Sequence, residues 1–216
     1  MALVSSTRAV FGAMEAAFRD GFPEARILHL LDETLLEDFR REGGLSPHSR
    51  RKALQMALIA QDAGVDSILV TCSTLSPSVD DMRPFLKVPV MKIDEPVIED
   101  VVRIAEEIGL LTTAETVLKS VEPLVMKKAR ELGRKISVRR FVRGDIWPLL
   151  QKDAAAFYRA VGDAAAEAAR ECQAVILTQV SIAPARDFAA GKWRDKIYAS
   201  PAYAVRTLRK ILANAG

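Results

Sequence analysis

A chain of 216 residues, half of them hydrophobic and 27% charged, is long enough to bury the core of one or two globular domains. Its net charge of +3 comes from interspersed acids and bases and leaves no nucleic-acid footprint, and no apolar run approaches the ~20 residues of a membrane-spanning helix. Two cysteines, Cys72 and Cys172, make no disulfide framework, so the expected setting is cytoplasmic.

Short apolar runs alternate with helical stretches along the chain. The N-terminal segment MALVSSTRAVFGAMEAAFR has the Arg, Ser and Ala content of a transit peptide, but residues 2–5 read as a strand and the segment is counted as part of the fold. A helix pattern over 9–20, a strand at 26–31 (RILHLL), a helix over 46–63 and strands at 67–71 and 88–93 complete a first half. Arg40, Arg41, Arg50, Arg51 and Lys52 form the densest basic patch and read as a solvated loop and helix start. The second half follows with a helix over 96–108, a strand at 109–112 and a helix over 116–133. A strand at 135–142, a helix over 148–171, strands at 174–178 and 196–199 and a helix over 201–214 close it. Steady strand–helix alternation predicts an α/β fold with parallel sheets and right-handed crossovers. Near-continuous apolar strands fit sheets covered on both faces.

The halves repeat each other. Residues 66–77 (DSILVTCSTLSP) match 173–184 (QAVILTQVSIAP) at an offset of 107 (173 − 66), setting Thr71 on Thr178, Thr74 on Ser181, Pro77 on Pro184 and Cys72 on Gln179. The same offset sets LVSSTRAV (Leu3 to Val10) on LLTTAETV (Leu110 to Val117). Two matches at one offset imply a duplicated α/β unit whose chemistry is made asymmetric at Cys72. No linker or low-complexity segment separates the halves.

Ligands of open parallel sheets bind beyond the C-terminal strand ends, where most polar residues of interest fall. Cys72 follows strand SILVT, and N–H groups of the next turn are expected to lower its thiol pKa. Cys172 precedes its strand and reads as structural. Hydroxyls cluster at Ser5, Ser6 and Thr7, at Thr112, Thr113 and Thr116, at Ser73 and Thr74, and at Ser181. They either cradle a carboxylate or cap helices. Asp32 and the Asp94–Glu95 pair end strands, where each acid either orients a substrate ammonium or caps a helix. His29 reads as a hydrogen-bonded core residue, and His48 has no evident partner. With two histidines, a Ser-His-Asp triad and a histidine-rich metal site are not expected, and dinucleotide and P-loop motifs are missing.

Together, ILVTCSTLSP (68–77), AVILTQVSIAP (174–184), ILHLLDETLL (27–36) and GLLTTAET (109–116) resemble the aspartate/glutamate racemase superfamily over nearly the whole chain. The resemblance implies two pseudo-symmetric α/β halves with the active site in the cleft between them. Residues 1–96 plus 203–216 would form the first half and residues 97–202 the second. It further implies cofactor-independent chemistry on a small carboxylate or amino acid, in which two cysteines normally flank the substrate α-carbon. Here Cys72 would be the first of these, and Gln179 stands in the place of the second. A carboxamide neither holds nor accepts a proton usefully near neutral pH, so symmetric two-thiol racemisation is not expected. Ser181 adjoins the site but lacks a base to activate it.

The expected protein is therefore a racemase- or isomerase-like enzyme working through Cys72, with Gln179 as a neutral donor. Ser5, Ser6, Thr7, Ser73, Thr74, Thr112, Thr113, Thr116, Ser181 and Asp32 would bind the substrate. The alternatives are a decarboxylase or cis–trans isomerase of dicarboxylates, and a small-acid binding or sensing protein on the same fold. No metal, nucleic-acid or membrane partner is expected, and a homodimer is the default assembly.

Overall fold

The computed structural model describes residues 1–214, and the chain divides into two compact units. The first comprises Met1–Glu95 and the chain from Pro201 onward, the second Pro96–Ser200. Residues 215–216, the end of the expected 203–216 segment, lie outside the described residues.

In the first unit, β1 (Ala2–Ser5) leads through a 3-10 turn into α1 (Phe11–Gly21), and β2 (Leu28–Leu31) into α2 (Thr34–Glu42) and α3 (Pro47–Asp62). Then come β3 (Ile68–Val70), a 3-10 turn (Ser73–Leu75), α4 (Ser78–Met82) and β4 (Val90–Lys92). The four strands form one parallel sheet in the order β2-β1-β3-β4. The central strands β1 and β3 are wholly buried, which is why they read as unbroken apolar runs. Ala2, Val4, Ile68 and Val70 share one face and pack against Leu35, Phe39, Ala53, Met56 and Ala57 of α2 and α3.

The second unit holds α5 (Glu95–Ile104), β5 (Glu107–Thr112), α6 (Glu115–Glu131), β6 (Ser137–Val142), α7 (Leu149–Lys152) and α8 (Ala154–Glu171). β7 (Ala174–Leu177), a long 3-10 segment (Val180–Phe188), α9 (Gly191–Arg194) and β8 (Ile197–Ala199) complete it. Its sheet runs β6-β5-β7-β8, the same order as the first. The duplication extends to register: Ala2↔Ile68 and Ile68↔Val90 recur, each residue 107 further on, as Gly109↔Val175 and Val175↔Ile197.

The last helix, α10 (Ser200–Ala213), packs on the first unit. An ideal Cβ built on Gly21 would lie 3.1 Å from Val205 Cγ1, and Arg209 donates to Gly21 O (3.3 Å) and pairs with Glu24 at 2.7 Å. Among the described residues, no helix is long and apolar enough to cross a membrane.

Close approach limits one position sharply. On α8, a Cβ at Gly162 would sit 3.0 Å from three backbone atoms, Ala185 O, Ala189 N and Phe188 C. Backbone cannot rotate aside as a side chain does, so Gly162→Ala is expected to destabilise the protein by ~1–3 kcal/mol, read as a lower denaturant midpoint at unchanged slope.

Four local expectations are corrected. α2 falls where no helix was expected, because its apolar signal is confined to Leu35, Leu36 and Phe39 in a short charged stretch. The helix expected over 148–171 breaks at Asp153, which is extended (φ −153°, ψ 96°) and caps α8 by accepting from Ala156 N at 2.9 Å. α5 stops at Ile104 rather than 108, and β5 begins at Glu107. His29 is not a hydrogen-bonded core residue: its ring lies 4.2 Å from that of Phe11, its Nε2 is 3.7 Å from Glu15, and its buried Nδ1 has no hydrogen-bond partner.

Candidate active site

The polar residues of the first unit gather where β1, β3 and β4 end. Thr71 ties β3 to β1 twice, its N–H and its hydroxyl both donating to Val4 O at 3.0 and 3.2 Å. Its one hydroxyl proton is thereby committed, so the 2.8 Å contact with Ser5 is a donation from Ser5 Oγ to Thr71 Oγ1. Ser5, fully buried, thus fastens two strand ends together.

Cys72 comes next, extended and half-buried, and the chain then winds into the Ser73–Leu75 turn, which Leu75 N–H closes onto Cys72 O at 2.9 Å. The Ser6 hydroxyl and the N–H groups of Thr74 and Leu75 hydrogen-bond the sulfur. Burial nevertheless pushes the thiol up; these three donors oppose it, and the nearby Asp94 carboxylate adds to the rise. The expected low-pKa thiolate is thus corrected. A three-residue turn supplies too little positive potential to offset the lost solvation, and Cys72 is held as a thiol, a proton donor.

Asp94 follows β4 and is 1% exposed. Ser73 Oγ donates to its Oδ1 at 3.0 Å and Ser76 Oγ to its Oδ2 at 3.1 Å. Burial pushes this carboxyl up to about 7, against the pull of the two hydroxyls. Through these two contacts it braces the turn that follows Cys72. An acid closing an apolar strand was visible in the sequence, but its serine partners 18 and 21 residues earlier were not.

Other expected site residues have local duties. Thr7 caps the turn after β1, accepting from Ala9 N at 3.2 Å. Asp32 accepts from the N–H and hydroxyl of Thr34 at 3.0 and 2.5 Å, capping the start of α2, with Lys52 Nζ 3.9 Å away. Thr74 is buried within the turn. The basic patch is paired rather than simply solvated: Lys52 and Arg41 meet buried Asp38 at 2.6 Å each, and His48 has partners after all in Asp38 (3.7 Å) and Arg51 (3.3 Å).

The second unit repeats this framework with different chemistry. Thr178 donates through both N–H and hydroxyl to Leu111 O at 3.0 Å, reproducing Thr71 on Val4. Gln179 holds the position of Cys72, and Ile182 N–H closes the following turn onto Gln179 O at 3.2 Å. Gln179 Oε1 accepts from Thr113 N (2.8 Å), Thr113 Oγ1 (3.0 Å) and Thr112 Oγ1 (3.0 Å). A backbone N–H can only donate, so the oxygen is the fixed end and the carboxamide NH₂ the outward one. Ser181 is buried in the same turn at the place of Thr74, and Thr116 lies half-buried in the first turn of α6. The residue 107 beyond Asp94 is Pro201, so the brace on the thiol turn has no counterpart.

Cys172 is buried in the core against Gly109, whose ideal Cβ would lie 3.2 Å from the sulfur, as a structural cysteine should be. Burial raises its pKa as well, so it is expected to resist alkylation in the native state and react only on unfolding, as peptide mass spectrometry would show. Among the described residues, no group of three His, Cys, Asp or Glu side chains is placed to hold a metal ion.

A family model for Asp/Glu/hydantoin racemases matches residues 3–206. The chain belongs to that family. Its fold is shared with glutamate racemase from Thermus thermophilus (TM-score 0.71, 18% identity, covering 100% of this chain and 80% of that one). Allantoin racemase from Klebsiella pneumoniae aligns with a TM-score of 0.74 at 16% identity over 99% of this chain and 87% of its own. An aspartate racemase homologue from Pyrococcus horikoshii OT3 gives 0.66 at 14% identity, with 98% of both chains covered. A search of curated protein sequences gave no significant match. Family and fold together make this Asp/Glu/hydantoin racemase family member an enzyme of racemase or isomerase type.

Proposed function

We propose that the chain is a cofactor-independent isomerase of a small carboxylate or amino acid, with Cys72 as its single acid/base group. The observation that carries this reading is the surroundings of the sulfur: two backbone N–H groups and the Ser6 hydroxyl aim at one atom, at the C-terminal end of a central strand. Donors converging on a sulfur stabilise negative charge there, which is needed only if the thiol gives up its proton. In the forward step Cys72, its own proton having first passed to solvent, takes the α-proton, and the electron pair passes into the substrate carboxylate as an enediolate. In return the thiol protonates the same face of the carbon, which exchanges the α-hydrogen without inversion; a change of double-bond geometry instead needs the sulfur to add to the alkene carbon and leave again after rotation.

Gln179 supports one-sided chemistry. With its oxygen held by Thr112 and Thr113, it offers NH₂ donors to a carboxylate or enediolate oxygen and has no proton to exchange with carbon. The test is incubation in D₂O with L- and D-amino acids, hydantoins, maleate and substituted malonates, followed by NMR. Deuterium uptake at one α-carbon without inversion, or conversion of maleate or a malonate alone, supports the reading. Inversion in the native protein calls for a second base and overturns the single-thiol mechanism. Ligand-induced thermal shifts without exchange or conversion overturn catalysis in favour of a binding protein.

Gln179→Cys is the complementary experiment. A thiol at that position is expected to add inversion to exchange on the same substrate, seen as loss of optical rotation in step with deuterium uptake.

A further inference from the structure

Asp94 stands apart from the carboxylate-binding residues. It is buried, both of its oxygens are held by hydroxyls of the turn that follows Cys72, and the repeat places Pro201 where its counterpart would be. A charged group buried in one half and not in the other marks the half that carries the thiol. We propose that Asp94 is the positioning residue of Cys72: through Ser73 and Ser76 it clamps the turn that aims the Thr74 and Leu75 N–H groups at the sulfur, so that the carboxyl and the thiol act as one unit.

The clamp and the carboxylate charge oppose each other in a useful way. The clamp presents donors to a thiolate that forms transiently, while the carboxylate charge discourages a resting one. A thiol in this setting returns its proton to carbon readily.

The neighbouring charges leave Asp94 to this task. The turn after β3 faces it with Ser73, Ser76 and the Cys72 thiol. Preceding it on β4, buried Lys92 pairs with Asp80 of α4 at 2.7 Å, and the following residue Glu95 faces Arg83 at 3.6 Å.

The proposal gives Asp94 its purpose only if Cys72 is the reacting group, but thiol titration needs no substrate, so the two readings fail separately. The experiment is alkylation of the native protein with iodoacetamide from neutral to alkaline pH. Modification at Cys72 is followed by peptide mass spectrometry, with buried Cys172 as internal control. Asp94→Asn keeps the shape and a hydrogen-bonding group but removes the charge. Its alkylation midpoint is expected to fall, giving faster modification near neutrality than in the parent. An unchanged or higher midpoint in a folded Asp94→Asn protein overturns the charge effect. Ser76→Ala leaves the charge and loosens the clamp, so its midpoint is expected to move the other way, upward. An unchanged midpoint there overturns the clamp, and this variant decides the matter if Asp94→Asn does not fold, as circular dichroism would reveal.

Discussion

Cys72→Ser is expected to lower turnover on any substrate found in the D₂O assay by ~10²–10⁴-fold, the usual contribution of a positioned proton-transfer group. The substitution is nearly isosteric, and a serine oxygen can take the same donors: the Ser6 hydroxyl and the N–H groups of Thr74 and Leu75. The structural cost is therefore small and the melting temperature should hardly move. What changes is the acid itself, because an alcohol releases its proton far less readily than a thiol and nothing in the Ser73–Leu75 turn is a base that would help it. Full turnover by a folded Cys72→Ser protein would remove Cys72 from the chemistry and, with it, the single-thiol mechanism.

The second large effect is on stability. The Asp94 carboxyl is pushed up to about 7 in the folded protein, from the ordinary 3.8 it regains on unfolding. A group whose pKa is raised by folding binds its proton more tightly in the native state. Its contribution is fully present below the unfolded value and is lost as pH rises through the folded one. Between about pH 4 and about pH 8 the protein should therefore lose stability from this one group, on the order of 4 kcal/mol. Denaturant melts at the two pH values read the loss. In Asp94→Asn the position no longer titrates, and the gap should close mainly because the variant is more stable than the parent at the higher pH. A gap of the same size in the variant would assign it to other groups. The expected loss is confined to the first unit, so hydrogen exchange in β3 and β4 should quicken with pH more than in β7 and β8.

Much of the architecture was legible because of where the strands lie. β1, β3, β5 and β7 occupy the centres of their sheets, and all but the first residue of β5 are buried, so apolar runs revealed them directly. The 107-residue offset, inferred from two short matches, recurs in the strand registers and in the paired anchors Thr71 and Thr178. Helices with thin apolar signals were harder: α2 rests on Leu35, Leu36 and Phe39, and the break at Asp153 depends on a single capping side chain. Chain order rightly put Cys72 and Gln179 just past the ends of β3 and β7, but it gave the wrong direction for the Cys72 thiol. Chain order shows that a turn follows Cys72; it does not show how much solvation the sulfur loses or that a carboxyl from β4 folds back beside it. Likewise the contacts of Ser5 with Thr71 and of Asp32 with Thr34 could not be read from chain order.

The two units also differ in how the ribosome delivers them. The second is an unbroken stretch, Pro96–Ser200, that can fold once it has emerged. The first is discontinuous: α10, whose Ala204, Val205 and Leu208 are fully buried, is made only after the whole intervening unit. Until then α1 exposes the surface that Val205 and Arg209 will cover at Gly21. The half that carries Cys72 is thus completed only once α10 has followed the whole of the second unit out of the ribosome.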